Sequence, residues 1–357
     1  MPTIVSVGTA LPEHIIEQKD AKEFARDMFG GSFRGDIDRL IGIFDNTEIE
    51  RRHFCVPNEW FASDHTFGEK NNLYIENAMA LATEAIEECL DEGGMSHEEI
   101  DYLIFVSTTG VATPSIDARL IAKLPFRRDI KRVPLWGLGC AGGASSLARA
   151  MDIARANPGA RILAVVVELC GLTFMRNDLT KSALIATSLF GDGAAAMLVV
   201  GDDHPLPVGR TLPRLLASRT TSLPDSLDVM GWDIGGDGFR VVISRDIPSI
   251  VRTFMRESID ALLEEEDLDV SSIEHYVTHP GGAKVIEAYE ESLALAPGKL
   301  DHTRQSLRDF GNMSACSVIF VLKSFIAELA TSGNTGYGLL SALGPGFSSE
   351  LVLLRWA

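Results

Sequence analysis

The chain has 357 residues, of which 46% are hydrophobic and 23% charged, a composition typical of a globular protein that buries a sizeable core. Its formal net charge of −18 at pH 7 opposes binding to nucleic acids and anionic membranes. No uninterrupted apolar run is long enough for a membrane span, and five widely spaced cysteines without a CxxC pair favour neither disulfides nor a zinc site. We expect a cytoplasmic protein with reduced thiols and with no metal, nucleic-acid partner or membrane span.

Helix-like and strand-like segments follow one another in an order that occurs twice. Residues 77–92 have helical periodicity and precede the apolar run Tyr102–Ser107, which is typical of a buried strand. Residues 250–266 are again helix-like and precede a second strand-like run. Tyr102 and Tyr276 occupy equivalent positions in the two runs, 174 residues apart (276 − 102). This match indicates an internal repeat.

Later segments repeat with nearly the same spacing. Glycine-led turns that open helices contain Cys140 and Asn312, 172 residues apart (312 − 140), and strand-like runs are centred on Leu163 and Leu339, 176 apart (339 − 163). The near-equal offsets predict a duplicated α/β fold whose halves face each other about a pseudo-twofold axis. The stretch 201–213 contains three prolines and suits neither a helix nor a central strand, so we divide the chain into residues 1–205 and 206–357.

Cys140 is the candidate nucleophile. It lies in Trp136-Gly-Leu-Gly-Cys-Ala-Gly-Gly143 at a predicted helix start, where free N–H groups and the helix dipole favour a thiolate and glycines leave space for a substrate. An isolated cysteine is more often simply buried. The segment also matches the GxGxxG pattern of dinucleotide-binding folds, which expect an acidic residue about 20 positions on. Glu168 lies 31 residues beyond Gly137 (168 − 137), which disfavours that reading.

His279 and Asn312 complete a possible catalytic set. His279 lies in Thr278-His-Pro-Gly-Gly282, and the duplication places Asn312 in the turn equivalent to that of Cys140. An imidazole within hydrogen-bond reach can hold a thiol as the thiolate of an ion pair. A side-chain amide can stabilise the oxyanion or enolate formed from a thioester. These residues suit acyl transfer to Cys140 followed by decarboxylative condensation, which needs no metal or organic cofactor.

Five motifs occur in this order along the chain: Gly139-Cys-Ala-Gly-Gly143, Leu189-Phe-Gly-Asp-Gly-Ala-Ala-Ala196, His279-Pro-Gly-Gly282, Gly311-Asn-Met-Ser-Ala315 and Gly344-Pro-Gly346. With these motifs the chain resembles the type III polyketide synthases, the chalcone-synthase-like branch of the thiolase superfamily. The resemblance implies an α/β, duplicated thiolase-like fold with αβαβα layers. It implies acyl-CoA and malonyl-CoA substrates, no cofactor beyond these thioesters, and a homodimer. Cys140, His279 and Asn312 would be the catalytic triad.

The resemblance also implies substrate-binding residues. Phe190 and Val241 match two gatekeepers between the coenzyme A tunnel and the cavity, and the second is aromatic in plant enzymes, so valine should widen the passage. Thr113 would reach the cavity of the partner subunit. Other expected substrate-binding residues are Thr108, Thr109, Glu168, Cys170, Thr173, Gly344, Pro345 and Gly346. Arg39 and Lys284 are candidates for binding the coenzyme A phosphates.

Further segments indicate the product class. Val-Glu-Leu-Cys, Gly231-Trp-Asp and His-Pro-Gly-Gly-Ala-Lys resemble bacterial and fungal members that extend fatty acyl-CoA starters to alkylpyrones or alkylresorcinols. The alternative is a ketoacyl synthase III-like enzyme, which performs one condensation with an acyl carrier protein and uses the same Cys, His and Asn. Its motifs lack Met-Ser-Ala and usually Pro-Gly-Gly in the form present here.

Overall fold

The computed structural model describes residues 1–31, 37–206 and 209–357. The strands are β1 (Thr3–Ala10), β2 (His14–Glu17), β3 (Arg51–Phe54), β4 (Tyr102–Ser107), β5 (Lys131–Trp136), β6 (Arg161–Leu169), β7 (Asp192–Val200), β8 (Pro213–Ser222), β9 (Met230–Gly235), β10 (Gly238–Ile243), β11 (Ile273–Thr278), β12 (Gly336–Gly344) and β13 (Ser348–Trp356). The helices are α1 (Gln18–Phe29), α2 (Ile37–Ile41), α3 (Phe67–Gly93), α4 (Ile116–Lys123), α5 (Gly142–Ala156), α6 (Lys181–Leu189), α7 (Ile247–Glu265), α8 (Ala283–Leu293), α9 (Asp301–Phe310) and α10 (Ser317–Ser332).

The main sheet contains the same strand arrangement twice. Among the described residues its order is β11-β12-β13-β8-β1-β7-β6-β4-β5, and the two halves join where Thr3 of β1 pairs with Arg214 of β8. The first half reads β4-β6-β7-β1 and the second β11-β12-β13-β8, with one parallel pair followed by two antiparallel pairs in each. The predicted duplication is therefore confirmed. Strand β5 extends the first half by one further parallel strand.

Alternating strand residues separate the fold into five layers. Leu103 of β4 packs in the cluster that contains α3, whereas the next residue, Ile104, packs with α5 and α10. In the second half, Leu339 of β12 faces α7 and α8 and Leu340 faces the central helices. Because side chains alternate across a strand, each half-sheet lies between an outer helix layer and the shared layer of α5 and α10. The predicted αβαβα layering is confirmed.

The central position of α10 explains its composition. The segment Ser314–Ser332 is long and apolar enough to cross a membrane by length and composition alone, yet 67% of it is buried inside the fold. A helix that is apolar on all sides suits the middle layer of a large core. We therefore describe α10 as a core helix.

Several sequence-based boundaries need adjustment. The helices predicted at 77–92 and 250–266 extend over α3 and α7, and a capping box at Thr66 and Glu69 starts α3 ten residues before the predicted helix. The strand predicted at Tyr102–Ser107 is observed. The division at 205/206 stays a prediction, and residues 207 and 208 of the predicted seam 201–213 lie outside the described residues.

Candidate active site

The turn that carries Cys140 packs against the loop between β12 and β13. Cys140 lies in the 3-10 turn Gly139–Ala141, directly before α5, and is 8% exposed. Gly139 has a φ of +47°, and a Cβ added there would lie 2.6 Å from Cδ of Pro345. A Cβ added to Gly344 would lie 2.5 Å from Cβ of Ala141. These glycines therefore serve close packing of the Gly344–Gly346 loop on the nucleophile turn, in addition to any room they leave for substrate.

Asn312 is fixed by four hydrogen bonds. Its Oδ1 accepts from the Ser314 N–H at 2.8 Å, and its Nδ2 donates to the Gly281 carbonyl at 3.2 Å. Its backbone N–H donates to Leu189 O at 2.9 Å, and its carbonyl accepts from the Gly191 N–H at 3.0 Å. A side-chain amide has two N–H donors, and the one left after the bond to Gly281 is directed at the thiol of Cys140. These hydrogen bonds hold the turn from Asn312 into α10 in place, and with it the second N–H donor of the Asn312 amide.

The equivalent turns of the two halves meet, as the duplication predicted. A Cβ added to Gly143, at the start of α5, would lie 2.3 Å from the carbonyl oxygen of Ala315, just before α10. Hydrogen bonding from the side chains of Ser314 and Asn312 acts on the Cys140 thiol and favours its ionised form. Ser314, with a φ of +49°, was not singled out in the sequence although it lies in a quoted motif.

His279 is a neutral, buried imidazole. It follows β11, is 5% exposed, and its backbone N–H donates to Ser341 O at 2.9 Å. Burial lowers its pKa to about 3. Within the described part of the chain neither ring nitrogen has a hydrogen-bond partner. The structure therefore does not contain the hydrogen-bonded thiolate and imidazolium pair expected from the sequence.

The thiol of Cys140 is neutral as well. Burial raises its pKa to about 12, ionisation of Glu168 would raise it further, and the hydrogen bonds from Ser314 and Asn312 offset only part of this. The expectation that the helix start lowers this pKa is wrong, because loss of hydration outweighs the partial charge at the helix terminus. The candidate nucleophile and the candidate base are therefore both uncharged at neutral pH.

Glu168, Thr108 and Thr109 form a polar network beside Cys140. Oε2 of Glu168 accepts from the Thr108 N–H at 3.0 Å, and Oγ1 of Thr108 accepts from the Gly139 N–H at 3.0 Å. Oγ1 of Thr109 accepts from the Leu169 N–H at 2.8 Å. Burial raises the pKa of Glu168 to about 8. The network therefore connects a carboxyl group, protonated at neutral pH, to the nucleophile turn.

A largely apolar cavity lies among α1, α6, β10 and the 3-10 turn Cys170–Thr173. It encloses roughly 720 Å³ of space not filled by atoms, part of which opens to solvent. Four residues expected to contact substrate line it, namely Phe190, Val241, Cys170 and Thr173. The sequence did not single out the aromatic wall formed by Phe24, Phe54, Phe61, Phe174 and Phe239. These residues lie far apart in sequence, and no motif connects them.

Other predicted binding residues are not in the cavity wall. Arg39, in the last turn of α2, and Lys284, in the first turn of α8, are exposed at the surface. Thr113 is exposed and precedes a cis peptide bond to Pro114. Arg52, by contrast, lines the cavity and is almost fully buried, although no sequence motif points to it.

Comparisons with known proteins show the family to which the chain belongs. The model of the chalcone and stilbene synthases, N-terminal domain, matches residues 1–204, and that of the C-terminal domain matches residues 214–357. The chain belongs to the chalcone and stilbene synthase family, the type III polyketide synthases. These enzymes condense malonyl-CoA with coenzyme A thioesters and need neither a metal nor another cofactor. The dinucleotide-binding alternative is therefore wrong.

Two relatives and one solved structure each align with 99% or more of the length of this polyketide synthase. One relative is a protein of Bacillus subtilis (strain 168) that is named as a chalcone synthase. It is 44% identical to this chain, and the match covers 100% of this chain and 99% of the relative. The 1,3,6,8-tetrahydroxynaphthalene synthase of Streptomyces peucetius subsp. caesius is 39% identical over 99% of this chain and 93% of its own. The crystal structure of the enzyme of that name from Streptomyces coelicolor A3(2) has a TM-score of 0.91 at 27% identity and covers 99% of both chains.

Proposed function

We propose that this type III polyketide synthase loads a fatty acyl-CoA starter onto Cys140, extends it repeatedly with malonyl-CoA, and cyclises the product to an alkylpyrone or alkylresorcinol. The observation that carries the starter class is the cavity with its wall of five phenylalanines. Burial of an alkyl chain against such a wall stabilises by ~25 cal/mol per Å² of apolar surface removed from water. Val241, smaller than an aromatic gatekeeper, supports entry of a long chain.

The neutral state of Cys140 and His279 supports a concerted loading step. As the sulfur attacks the thioester carbonyl, the thiol proton passes to His279; the C–S bond to coenzyme A then breaks, and the departing thiolate takes that proton. Forming either charge alone is opposed by burial, since the pKa of Cys140 is raised to about 12 and that of His279 lowered to about 3. The substrate must therefore be in place when the proton moves.

His279 and Asn312 have a second proposed role in malonyl-CoA decarboxylation. Carbon dioxide leaves, and its bonding electrons form an enolate on the thioester oxygen. The remaining N–H donor of Asn312 and an N–H of neutral His279 would stabilise this oxygen. The enolate carbon then attacks the acyl carbon on Cys140, the C–S bond to Cys140 breaks, and the departing thiolate takes one proton from solvent, which restores the neutral thiol. The fixed orientation of the Asn312 amide supports this assignment.

Malonyl-CoA as its own starter is a second candidate, which is favoured by similarity to named relatives rather than by the shape of the cavity. Two relatives, 39% and 28% identical, are named 1,3,6,8-tetrahydroxynaphthalene synthases. If this chain shares their activity, malonyl-CoA alone should suffice for product formation. The ketoacyl synthase III alternative would instead need a malonyl carrier protein and stop after one condensation.

Mass spectrometry of the products separates these functions. Purified protein is incubated with malonyl-CoA and a series of starters from acetyl-CoA to stearoyl-CoA. We expect products that contain the intact alkyl chain and several malonyl-derived units, with long starters preferred. A naphthalene product from malonyl-CoA alone, unaffected by long acyl-CoAs, would contradict the fatty acyl proposal, and the Cys140→Ala variant serves as the control.

We also propose that Arg39 and Lys284 lie near the phosphates of bound coenzyme A.

We further propose that the protein is cytoplasmic and that it forms a homodimer. Among the described residues, strand β5 is one of the two edge strands of the main sheet, and Trp136 at its end is 51% exposed. Nε1 of Trp136 donates to Gly110 O at 3.1 Å, close to the exposed Val111 and Thr113. An unpaired edge with exposed apolar side chains suits pairing with a second copy. All five cysteines have free thiols, as expected in the cytoplasm.

A further inference from the structure

Arg52 is a buried cation with no role in the activity described so far. It lies in β3, which pairs with β2, and is only 2% exposed. We propose that Arg52 is a positioning residue that holds Asn312 in place by fixing the backbone of residues 189–191. This inference rests on the proposed role of Asn312 in malonyl-CoA decarboxylation.

The guanidinium group binds the carboxyl-terminal end of α6. Nη1 of Arg52 donates to Thr187 O and to Phe190 O, each at 2.8 Å. The last carbonyls of a helix lack partners within the helix and carry a partial negative charge, which a cation stabilises. The planar guanidinium can serve two carbonyls at once, in a geometry that an ammonium group does not reproduce. Arg52 therefore fixes the chain as it leaves α6.

Gln18 extends the same contact. Nη2 of Arg52 donates to Oε1 of Gln18 at 3.0 Å, and Nε2 of Gln18 donates to Ser188 O at 2.9 Å and to Oγ1 of Thr47 at 2.9 Å. The two side chains together bind the carbonyls of residues 187, 188 and 190. The segment is thus held from one side at three points.

The other side of this segment carries Asn312. Phe190 and Asn312 form an isolated β-bridge in which Leu189 O accepts from the Asn312 N–H at 2.9 Å and the Gly191 N–H donates to Asn312 O at 3.0 Å. No other backbone hydrogen bond is recorded at Asn312 in the described part of the chain. A displacement of residues 189–191 would therefore move Asn312 directly.

Two motif glycines make room for the stem of Arg52. A Cβ added to Gly311, whose φ is +68°, would lie 2.7 Å from Cγ of Arg52, and one added to Gly191 would lie 3.4 Å from its Cβ. Both glycines neighbour the residues of the β-bridge. The arginine stem thus packs directly beneath the bridge, so the contact is steric as well as polar.

Burying the charged guanidinium of Arg52 costs free energy. A side chain that only fills space in the core would not need this charge. Burial lowers the pKa of Arg52 to about 10, so the group stays charged at neutral pH, and the negative charge of Asp192 offsets part of the cost. Nε has no hydrogen-bond partner among the residues that the structure describes. Apolar side chains of similar volume often stabilise a core at least as well as buried charges do. The geometry of the donors explains why an arginine is useful here.

The test compares Arg52→Met and Arg52→Lys with Arg51→Met and Asn312→Ala. Arg51 is the adjacent, exposed arginine of the same strand and is the matched control. Each protein is assayed for its melting temperature, for acyl loading by intact-protein mass, using the acyl-CoA that best labels the wild type, and for conversion of malonyl-CoA to acetyl-CoA. Millimolar guanidinium chloride is added to Arg52→Met as a chemical rescue.

We expect Arg52→Met to load the acyl group but to decarboxylate malonyl-CoA about 10²-fold more slowly, as a misplaced catalytic group would. Arg52→Lys should lie between it and the wild type, guanidinium should restore part of the rate, and Arg51→Met should match the wild type. Wild-type decarboxylation by both Arg52 variants would overturn the proposal. So would equal loss of loading and decarboxylation without rescue, or failure of both variants to fold.

The same data separate this inference from the proposed function. If the wild type does not decarboxylate malonyl-CoA, or if Asn312→Ala decarboxylates it normally, the proposed role of Asn312 fails whatever the Arg52 variants do. If Asn312→Ala is impaired and the folded Arg52 variants are not, only the positioning role of Arg52 fails.

Discussion

Phe190 in the cavity wall and Asn312 beside the nucleophile are joined by an isolated β-bridge with hydrogen bonds of 2.9 and 3.0 Å. The residue expected to contact the substrate chain and the residue proposed to stabilise the enolate therefore share one backbone unit. Because that unit is bound by Arg52 on its other side, it has little freedom to adjust to different substrates. The β-bridge thus connects one residue of the cavity wall to the proposed enolate donor.

Removing the nucleophile should separate condensation from decarboxylation. We expect Cys140→Ala to keep its fold and to form no polyketide, because Cys140 is the residue proposed to carry the acyl group. His279→Ala and Asn312→Ala should each lower the rate of malonyl-CoA decarboxylation by about 10²–10³-fold, the range for loss of one oxyanion donor. Circular dichroism and a coupled decarboxylation assay measure these effects. Polyketide formation by purified Cys140→Ala would refute the assignment.

The raised pKa of Cys140 predicts slow alkylation at neutral pH. Only the thiolate reacts with iodoacetamide, so the rate at Cys140 should rise about tenfold per pH unit above neutrality without reaching a plateau below about pH 10. His279→Ala should follow the same profile. Peptide mapping by mass spectrometry resolves Cys140 from the other four cysteines. A pH-independent rate through the neutral range, lost in His279→Ala, would show that an ion pair exists before substrate binds.

Glu168 should make the enzyme less stable as the pH rises. Its pKa is raised from 4.5 to about 8 by burial, so its contribution to stability is complete below pH 4.5 and is lost as the pH rises through 8. Glu168→Gln has the same shape and no ionisation. Relative to this variant the wild type should lose on the order of a few kcal/mol across that window, as measured by urea unfolding. A difference that does not change with pH would rule out the raised pKa.

Val241 should determine how long a starter the passage admits. We expect Val241→Phe to lower kcat/KM for the longest accepted acyl-CoA about tenfold or more and to leave short starters unaffected. Val242→Phe, the next residue of β10, does not line the cavity and is the matched control. Competition among acyl-CoAs of different length, followed by product mass spectrometry, gives the ratio of the kcat/KM values for long and short starters. Unchanged length preference in Val241→Phe would remove Val241 from the passage.

Trp136 should be needed for dimer formation. Placing a charge at this exposed end of β5 with Trp136→Lys should shift the protein from dimer to monomer in light scattering, because a buried interface does not tolerate an unpaired ammonium. Ile234→Lys, a substitution of an equally exposed apolar residue on β9, is the control and should stay dimeric. A Trp136→Lys dimer of unchanged stability, or a monomeric wild type, would contradict the proposed interface.

The sequence predicted the fold and the meeting of Cys140 with Asn312 because the repeat was visible in its own spacing. Two segments that recur at offsets of 172 to 176 residues must occupy equivalent positions in equivalent halves, whatever the details of packing. The resemblance to the family then predicted roles for His279, Phe190 and Val241. Ser314 was nevertheless missed although it belongs to a motif, because its hydrogen bond to Cys140 depends on how the two halves pack.

Properties that depend on distant packing could not be predicted. The pKa of Cys140 follows from burial by other elements, which reverses the effect expected from its helix start. Arg52 binds carbonyls 135 and 138 residues away, and backbone carbonyls have no signature in a sequence. The aromatic cavity wall is assembled from α1, the segment around Phe61 and the segment around Phe174, which no single pattern joins.

The most direct test of the proposed function is the mass of the acyl-enzyme. The protein is mixed with palmitoyl-CoA without malonyl-CoA, quenched in acid, and digested for peptide mapping. We predict one palmitoyl group per chain on the peptide that contains Cys140 and none in Cys140→Ala. An unmodified Cys140 peptide, or an acyl group on Cys170 instead, would contradict the assignment of Cys140 as the residue that carries a fatty acyl starter.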